Sequence, residues 1–316
     1  MMTDPCSRPP VPRGAHVALV VNPAARQGHD RDAVDDIARQ FGERFAVDVV
    51  TPPTADAVES GVRAASATHD AIVVVGGDGT INRAVNGLVG SAVPLGIVPM
   101  GTGNDFAQDR GIPTAPARAV RRVLDGRTTA VDLVRVNGRV YCTVGVIGIA
   151  ADSALTVADL TDPGSLLRPA VRLLGDSAYR AAGLWHVLKP GSFAETLAIT
   201  AERGEVVLPP TPVHCVFVTN TSRLGGGLVV PVGADPSDGL MEIAAVPRMS
   251  RVRLLSAFAR FASGRPLRPG TLRVWRAARA TITCPRAVRF SADGDFICES
   301  DRFDLEVLSG ALTLIA

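Results

Sequence analysis

The sequence predicts an α/β domain built on a doubly wound, mainly parallel sheet, followed by an antiparallel β-sandwich domain. Three observations carry that prediction. Through residues 16–124, short apolar runs alternate with stretches of helical periodicity, the pattern of successive βαβ units. From residue 130 onward, short strand-like runs follow one another with few helices between them, the pattern of a sandwich. Between these stands Gly76-Gly77-Asp78-Gly79-Thr80, directly after Val73-Val74-Val75 and before an apolar helix start. Strand, glycine turn and helix start together aim backbone N–H groups and a helix N-terminus at an anion.

Taken in order, residues 16–22 (HVALVVN) read as the first strand. Residues 30–41 carry Val34, Ile37, Ala38 and Phe41 at helical spacing. Residues 45–51 read as the second strand, 55–67 as a helix and 71–75 as the third strand, whose β-branched run suits burial on both faces. A helix over 81–88, a strand over 94–98 and a helix over 115–124 complete the first half. In the second half, residues 130–136, 139–146, 194–201, 205–208, 213–219, 240–246, 271–276, 280–284 and 288–291 read as strands. Two helical insertions, 166–188 and 250–262, interrupt them. Residues 303–315 alternate like a strand pair and are expected to return to the first domain. The expected organisation is therefore a disordered tail over 1–14, an α/β domain over 15–130 with 303–316 as its completing piece, and a sandwich over 131–302.

A chain of 316 residues is long for one core. A hydrophobic fraction of 47% with 20% charged residues fits a folded chain and excludes a disordered one. No apolar run reaches the ~18 residues that span a bilayer, and the proline-bearing start (Pro5, Pro9, Pro10, Pro12) lacks the apolar core of a secretion signal. Five widely spaced cysteines without a C-x-x-C pair suggest neither zinc nor a disulfide framework, and a reducing cytoplasm fits them. The net charge of +2 hides an asymmetry. Between Glu242 and Asp293 there is no acidic residue, while eleven arginines run from Arg248 to Arg289. That block is either a solvated basic face or a contact for an anionic membrane.

The chemistry-bearing residues gather at the carboxyl ends of the predicted strands, where open α/β sheets bind ligands. Asn22-Pro23 closes the first strand and Thr51 the second. Gly76 to Thr80 closes the third, and residues 99–107 (PMGTGNDFA) close the fourth. A G-G-D-G turn by itself is a tight turn more often than a site, but four such loops at consecutive strand ends point to a nucleotide-phosphate site. A carboxylate beside phosphates would repel them, so Asp78 is expected to work through Mg²⁺. The chain has no G-x-x-x-x-G-K-[S/T] loop and no G-x-G-x-x-G after the first strand, which excludes a P-loop enzyme and argues against dinucleotide hydride chemistry.

GGDGTINRAVNGL followed by PMGTGNDFA resembles the catalytic domain of the diacylglycerol kinase superfamily. The chain is most similar to its bacterial soluble lipid kinases, with sphingosine and ceramide kinases as more distant relatives. The resemblance runs from about residue 16 to 316. It implies an N-terminal domain like that of NAD kinase, a C-terminal β-sandwich and an active site in the cleft between them. It implies an ATP-dependent kinase whose acceptor is a membrane lipid, with diacylglycerol converted to phosphatidic acid. On this reading the backbone of Gly76, Gly77 and Gly79 cradles the ATP phosphates. Gly101 joins that set, and Thr80, Asn82 and Thr102 hydrogen-bond phosphates or ribose. Asn22, Pro23 and Thr51 line the nucleotide, and Asp78 positions the catalytic Mg²⁺. Asn104 and Asp105 either join the site or cap the helix that follows.

Residues 231–240 (PVGADPSDGL) look like the family's P-x-A-x-x-x-D-G-x-L segment, which in bacterial relatives holds a structural Mg²⁺. Carried over, the Asp238 carboxylate and the backbone carbonyls of Asp235 and Leu240 are the ligands; the alternative is a plain Asp-Gly turn. Asp293-Gly294-Asp295 sits where the family shows D-G-E. The resemblance makes Asp295 the general base, one methylene, or roughly 1.5 Å, shorter than usual. Glu299 is the alternative carboxylate.

Helix 166–188 is expected to pack on the core, its alternative being an interfacial helix anchored by Trp185. The basic segment 250–268 is the expected membrane contact. The overall expectation is a cytoplasmic lipid kinase that associates peripherally with an anionic membrane and has no nucleic-acid partner; a homodimer is an open alternative. Two other functions compete. NAD kinase shares the G-G-D-G turn, but no T-P-T-G-S-T-A-Y-like segment is present. A catalytically weak nucleotide- or lipid-binding homologue is the third reading, suggested by Asp295 in place of Glu.

Overall fold

The computed structural model describes residues 7–22, 30–161, 164–189 and 195–316. They divide into two compact units, Met1–Leu133 with Leu308–Ala316, and Val134–Val307.

In the first unit the elements are β1 (Ser7–Arg8), β2 (His16–Val21), α1 (Asp30–Gly42), β3 (Ala46–Val50), α2 (Ala57–Ala65), β4 (Ala71–Gly76), α3 (Asp78–Leu88), β5 (Leu95–Pro99), α4 (Asp105–Asp109), α5 (Pro116–Asp125) and β6 (Thr128–Val136). Strands β5, β4, β2 and β3 lie side by side in that order, all parallel. The chain's last strand joins beside β5, with Leu314 opposite Leu95. β4 is buried at every position, as its apolar run predicts for a strand covered on both faces. The chain steps from β2 outward to β3 and then back to β4 on the other side of β2. The switch point of the sheet therefore falls between β2 and β4, where such folds place a ligand.

Two local features depart from the sequence reading. Helix α3 begins at Asp78, not at Ile81, because Gly77 takes an extended cap conformation and the helix closes at once. The expected glycine loop is thus mostly the first turn of a helix, with an acid at its positive end. Residues 7–14, read as part of a loose tail, are pinned. β1 pairs with Thr128 and Thr129, Val11 is buried, and its N–H donates to the Gly126 carbonyl.

The second unit contains β7 (Arg139–Tyr141), β8 (Val144–Gly148), α6 (Ile149–Thr161), α7 (Arg168–Leu174), α8 (Asp176–Leu188), β9 (Glu195–Ala201), β10 (Val206–Thr219), β11 (Arg223–Leu224), β12 (Leu228–Val229), β13 (Met241–Pro247), α9 (Arg251–Ala262), β14 (Arg273–Ala277), β15 (Arg279–Ala292) and most of β16 (Asp295–Ile315). Its strands follow the order β14-β13-β10-β8-β15-β16, and β9 pairs with both β10 and β15. The pairings along this path are antiparallel. One face buries a core around Tyr141, Phe290 and Phe303. The other carries Val144, Val146, Phe217 and Val246, packed with Val187 and Leu254 of helices α8 and α9.

Several expected short strands are single long ones. β10 joins 205–208 to 213–219 and β15 joins 280–284 to 288–291, each through a register shift that absorbs the intervening residues. β16 is likewise one strand, not a pair. Helix α6 is absent from the sequence reading: IAADSALTVADLT carries apolar residues around most of its circumference and shows no single stripe. Among the described residues, no helix is long and apolar enough to cross a membrane.

Candidate active site

At the switch point the Asn22 side chain, just past β2, donates to the Thr80 hydroxyl at 2.7 Å. Its backbone N–H donates to the Val75 carbonyl. The ends of β2 and β4 are thereby tied together beside the start of α3. The Met100 N–H donates to the Gly76 carbonyl at 2.9 Å, which brings the loop after β5 to the same place. Contact between the two loops is backbone on backbone. A Cβ added to Gly77 would lie 3.0 Å from the Gly101 Cα, and one added to Gly101 would lie 2.6 Å from the Gly77 Cα. Only glycine fits at either position, and this is the sequence's clearest mark of a surface built from main chain. Gly101→Ala should therefore cost about 1–3 kcal/mol of strain. The expected result is a lower melting temperature and ATP bound roughly 5- to 150-fold more weakly, read by thermal unfolding with and without ATP.

Asn104 does not cap α4. It adopts a left-handed conformation and makes no side-chain cap bond. Its amide instead clips the loop shut, accepting from the Gly101 N–H at 3.0 Å and donating to the Gly101 carbonyl at 2.7 Å. Thr80 and Asn82, expected to face phosphate or ribose, are both 3% exposed. Thr80 is bonded to Asn22, and the Asn82 carbonyl accepts from the Asn86 side chain within α3. Thr102 is exposed in the loop and Thr51 is exposed just past β3. Pro23 lies outside the described residues.

Asp78 has a companion in Asp105, one of the two residues that the sequence left open between site and cap. A Cβ on Gly103 would lie 3.1 Å from Asp78 Oδ2 and 3.2 Å from Asp105 Oδ2, so two carboxylates flank one glycine. Two hard oxygen donors beside closely packed glycine backbone suit Mg²⁺. The signal was an acid two residues past Gly103 in the second motif, which the sequence left open between the site and a helix cap.

The second unit holds the remaining assignments. Asp293 and Gly294 have φ of 52° and 85° and join Ala292 to Asp295, a two-residue hairpin turn of the type that demands positive φ at both positions. The Asp293 carboxylate accepts from the Cys142 and Thr143 N–H groups at 3.0 and 2.8 Å and from the Thr143 hydroxyl. Asp293 therefore anchors the turn, and Asp295, half-buried, opens β16 beyond it. Glu299 lies further along β16, exposed and opposite Arg289.

The expected metal segment with Asp235, Asp238 and Leu240 is a turn whose side chains have protein partners. Asp238 Oδ1 accepts from the Leu240 N–H at 3.0 Å, and its other oxygen is paired with Arg276. Arg276 also donates through Nε to Glu242, which is nearly fully buried and whose pKa burial raises. Asp235 accepts from Ser237. The cation beside Asp238 in this structure is the Arg276 guanidinium.

The same unit carries an apolar cavity of about 120 Å³. Val146, Phe217 and Val246 of the sheet, Tyr179 and Val187 of α8, and Phe258 of α9 line it, and Ser291, Ala292 and Gly294 bring the Asp295 hairpin to its wall. Helix α8 turns Tyr179, Gly183 and Val187 toward the cavity while Leu184, Trp185 and Leu188 are exposed. Trp185 is 61% exposed, and Leu166 and Leu173 are 97% and 91% exposed. The expected core-packed helix is thus a two-faced one. The arginine block also divides: Arg276, Arg279, Arg286 and Arg289 pair with carboxylates, whereas Arg251, Arg253, Arg265 and Arg268, on and after α9, are exposed.

Comparison with known proteins gives matches over both units. The profile of the diacylglycerol kinase catalytic domain matches residues 16–136, and that of the YegS C-terminal NAD kinase beta sandwich-like domain matches residues 172–316. A diacylglycerol kinase of Mycobacterium tuberculosis is 32% identical over 258 residues, covering 80% of this chain and 79% of that protein. A diacylglycerol kinase of Bacillus subtilis is 26% identical over 251 residues, covering 78% of each. A crystal structure of a diacylglycerol kinase from Bacillus anthracis is similar in fold, with a TM-score of 0.72 at 20% identity over 95% of this chain and 96% of that one.

Proposed function

The chain belongs to the diacylglycerol kinase family of lipid kinases, and on that premise we propose that it transfers the γ-phosphate of ATP to the hydroxyl of diacylglycerol, giving phosphatidic acid. The observation that carries the acceptor is the apolar cavity with the Asp295 hairpin in its wall. An acyl chain seated there leaves the glycerol hydroxyl near a carboxylate, and this is what a base needs: reach first, then basicity. Phosphoryl transfer asks a protein for alignment and charge neutralisation more than for covalent help. Main-chain N–H groups of Gly77 and Gly79 at the start of α3 bind the phosphates, with the Gly101–Thr102 loop as the opposite wall. Asp78 and Asp105 are the residues that would hold Mg²⁺, which when bound neutralises phosphate charge. Asp295 takes the proton of the attacking hydroxyl.

The acceptor resides in a membrane, so the enzyme docks at its surface from the cytoplasmic side. The exposed apolar face of α8, with Leu173 and Leu174 of α7 beside it, is the inserting element, because the other face of α8 lines the lipid cavity. The exposed arginines on and after α9 add roughly 1 kcal/mol each near anionic lipid. Binding to vesicles of mixed anionic and neutral phospholipid should weaken as salt rises, and Trp185→Ala should weaken it further at any salt. Salt-independent sedimentation with vesicles would remove the arginines from the account, and a dimer that hides Trp185 would remove the helix.

The test of the function is labelled ATP with diacylglycerol vesicles, NAD offered in parallel, and mass spectrometry of the products. Labelled phosphatidic acid is the expected product. Label on another lipid would change the acceptor, label on NAD would make the chain an NAD kinase, and ATP binding without transfer would leave a binding homologue.

A further inference from the structure

We propose that His16, Asp48 and His69 form a site for one borderline transition-metal dication of the Zn²⁺ class, at the end of the first unit's sheet opposite the phosphate loops. His16 opens β2, Asp48 lies on the neighbouring edge strand β3, and His69 lies in the turn that leads into β4. Their ligand atoms lie within 4.8 Å of one another. His16 Nε2 is 3.0 Å and His69 Nε2 3.4 Å from the same oxygen, Asp48 Oδ2. Metal–ligand bonds of about 2.0–2.1 Å in a tetrahedron set donor atoms roughly 3.4 Å apart, so the spacing on two edges is already that of a site.

The setting of His69 carries the inference. Its Nδ1 is 3.0 Å from the Ala65 carbonyl and 2.9 Å from the Thr68 hydroxyl, so that side of the ring is held by its own turn and Nε2 is the atom left to face Asp48. The side chain is 9% exposed, and Nε2 is buried without a hydrogen bond. It faces a carboxylate oxygen 3.4 Å away, across a gap that a cation bound by both atoms would close. An imidazole that donates its far N–H to a backbone carbonyl is the usual arrangement of a metal-bound histidine. His16 stacks on His69 with ring centroids 4.2 Å apart and is partly exposed, free to turn its Nε2 onto the shared ion. Two imidazoles with one carboxylate select Zn²⁺, Co²⁺ or Ni²⁺ over Mg²⁺, and solvent fills the fourth position.

The test uses the untagged full-length chain in excess Mg²⁺, titrated with Co²⁺ and with Zn²⁺. The expected result is one equivalent bound, a tetrahedral Co²⁺ visible spectrum without sulfur charge-transfer bands, and a rise in melting temperature that EDTA reverses. His69→Gln and, independently, Asp48→Asn should each weaken binding by about 10- to 100-fold or more. Asp48 is 61% exposed, so Asp48→Asn tests the site even if His69→Gln unfolds the turn. Binding that Asp48→Asn leaves unchanged, a thiolate spectrum, or no saturable binding overturns the proposal.

Discussion

Asp78→Ala is expected to yield a folded protein whose kcat/KM for phosphoryl transfer falls by about 10³-fold or more, some 4 kcal/mol of transition-state stabilisation. Two roles compete for this residue, and their magnitudes differ enough to separate them. As an acid in the first turn of α3, Asp78 favours the helix by about 0.3–1 kcal/mol, worth roughly 1–4 °C of melting temperature in a unit of this size. As one of two carboxylates flanking Gly103, it sits where negative charge beside a phosphate is tolerable only with a cation between them. Asp78→Asn sharpens the comparison, since it keeps the volume and a cap-competent oxygen while removing the charge. Loss of transfer in both variants with a melting temperature within a few degrees of the parent establishes the charge as the functional part. Retained transfer in Asp78→Asn reduces the residue to a helix start. Asp105→Asn should behave like Asp78→Asn, because the two carboxylates face one gap.

How much of this was legible depends on what each feature is made from. The proposed phosphate cradle is made of main chain, and main chain that must approach closely is written as glycine, so Gly76, Gly77 and Gly101 marked the place. The strands of the first unit carry long β-branched runs, and their parallel order follows from alternation with helices. Side-chain roles inside the cradle were not legible. Thr80 and Asn82 have the hydroxyl and amide that a phosphate wants, and only the fold shows both turned inward and buried. Asn104 and Asp105 match a cap in composition, yet one clips the Gly101 loop and the other faces Asp78. In the second unit, Arg276 is 38 residues from Asp238, so no local pattern announces that a guanidinium holds the carboxylate expected to bind a metal. The two-faced character of α8 was half visible. Its leucines and Trp185 were evident, but which of them faced a cavity needed the sheet beneath.

Asp295 is where the family's pattern and this chain part, and its variants should give the second large effect. Asp295→Ala is expected to lower kcat by about 10²–10⁴-fold with little change in stability, since the half-buried side chain stands just outside the turn. Asp295→Glu is expected to match or exceed the parent. The reason lies in the turn. Positive φ at Asp293 and Gly294 and the bonds from Asp293 to Cys142 and Thr143 hold the backbone at Asp295 in place, so the only freedom left for reach is side-chain length. Restoring one methylene lengthens reach without disturbing the hairpin. Asp293→Asn is the control that separates the two acids. It should lower the melting temperature by weakening the anchor, and any loss of rate should follow that instability. Loss of rate in a fully folded Asp295→Ala assigns the base. If Asp295→Glu is inactive while folded, the cavity wall at Gly294 is shaped around the shorter acid, and the hydroxyl it serves lies closer to the hairpin than in relatives that carry glutamate.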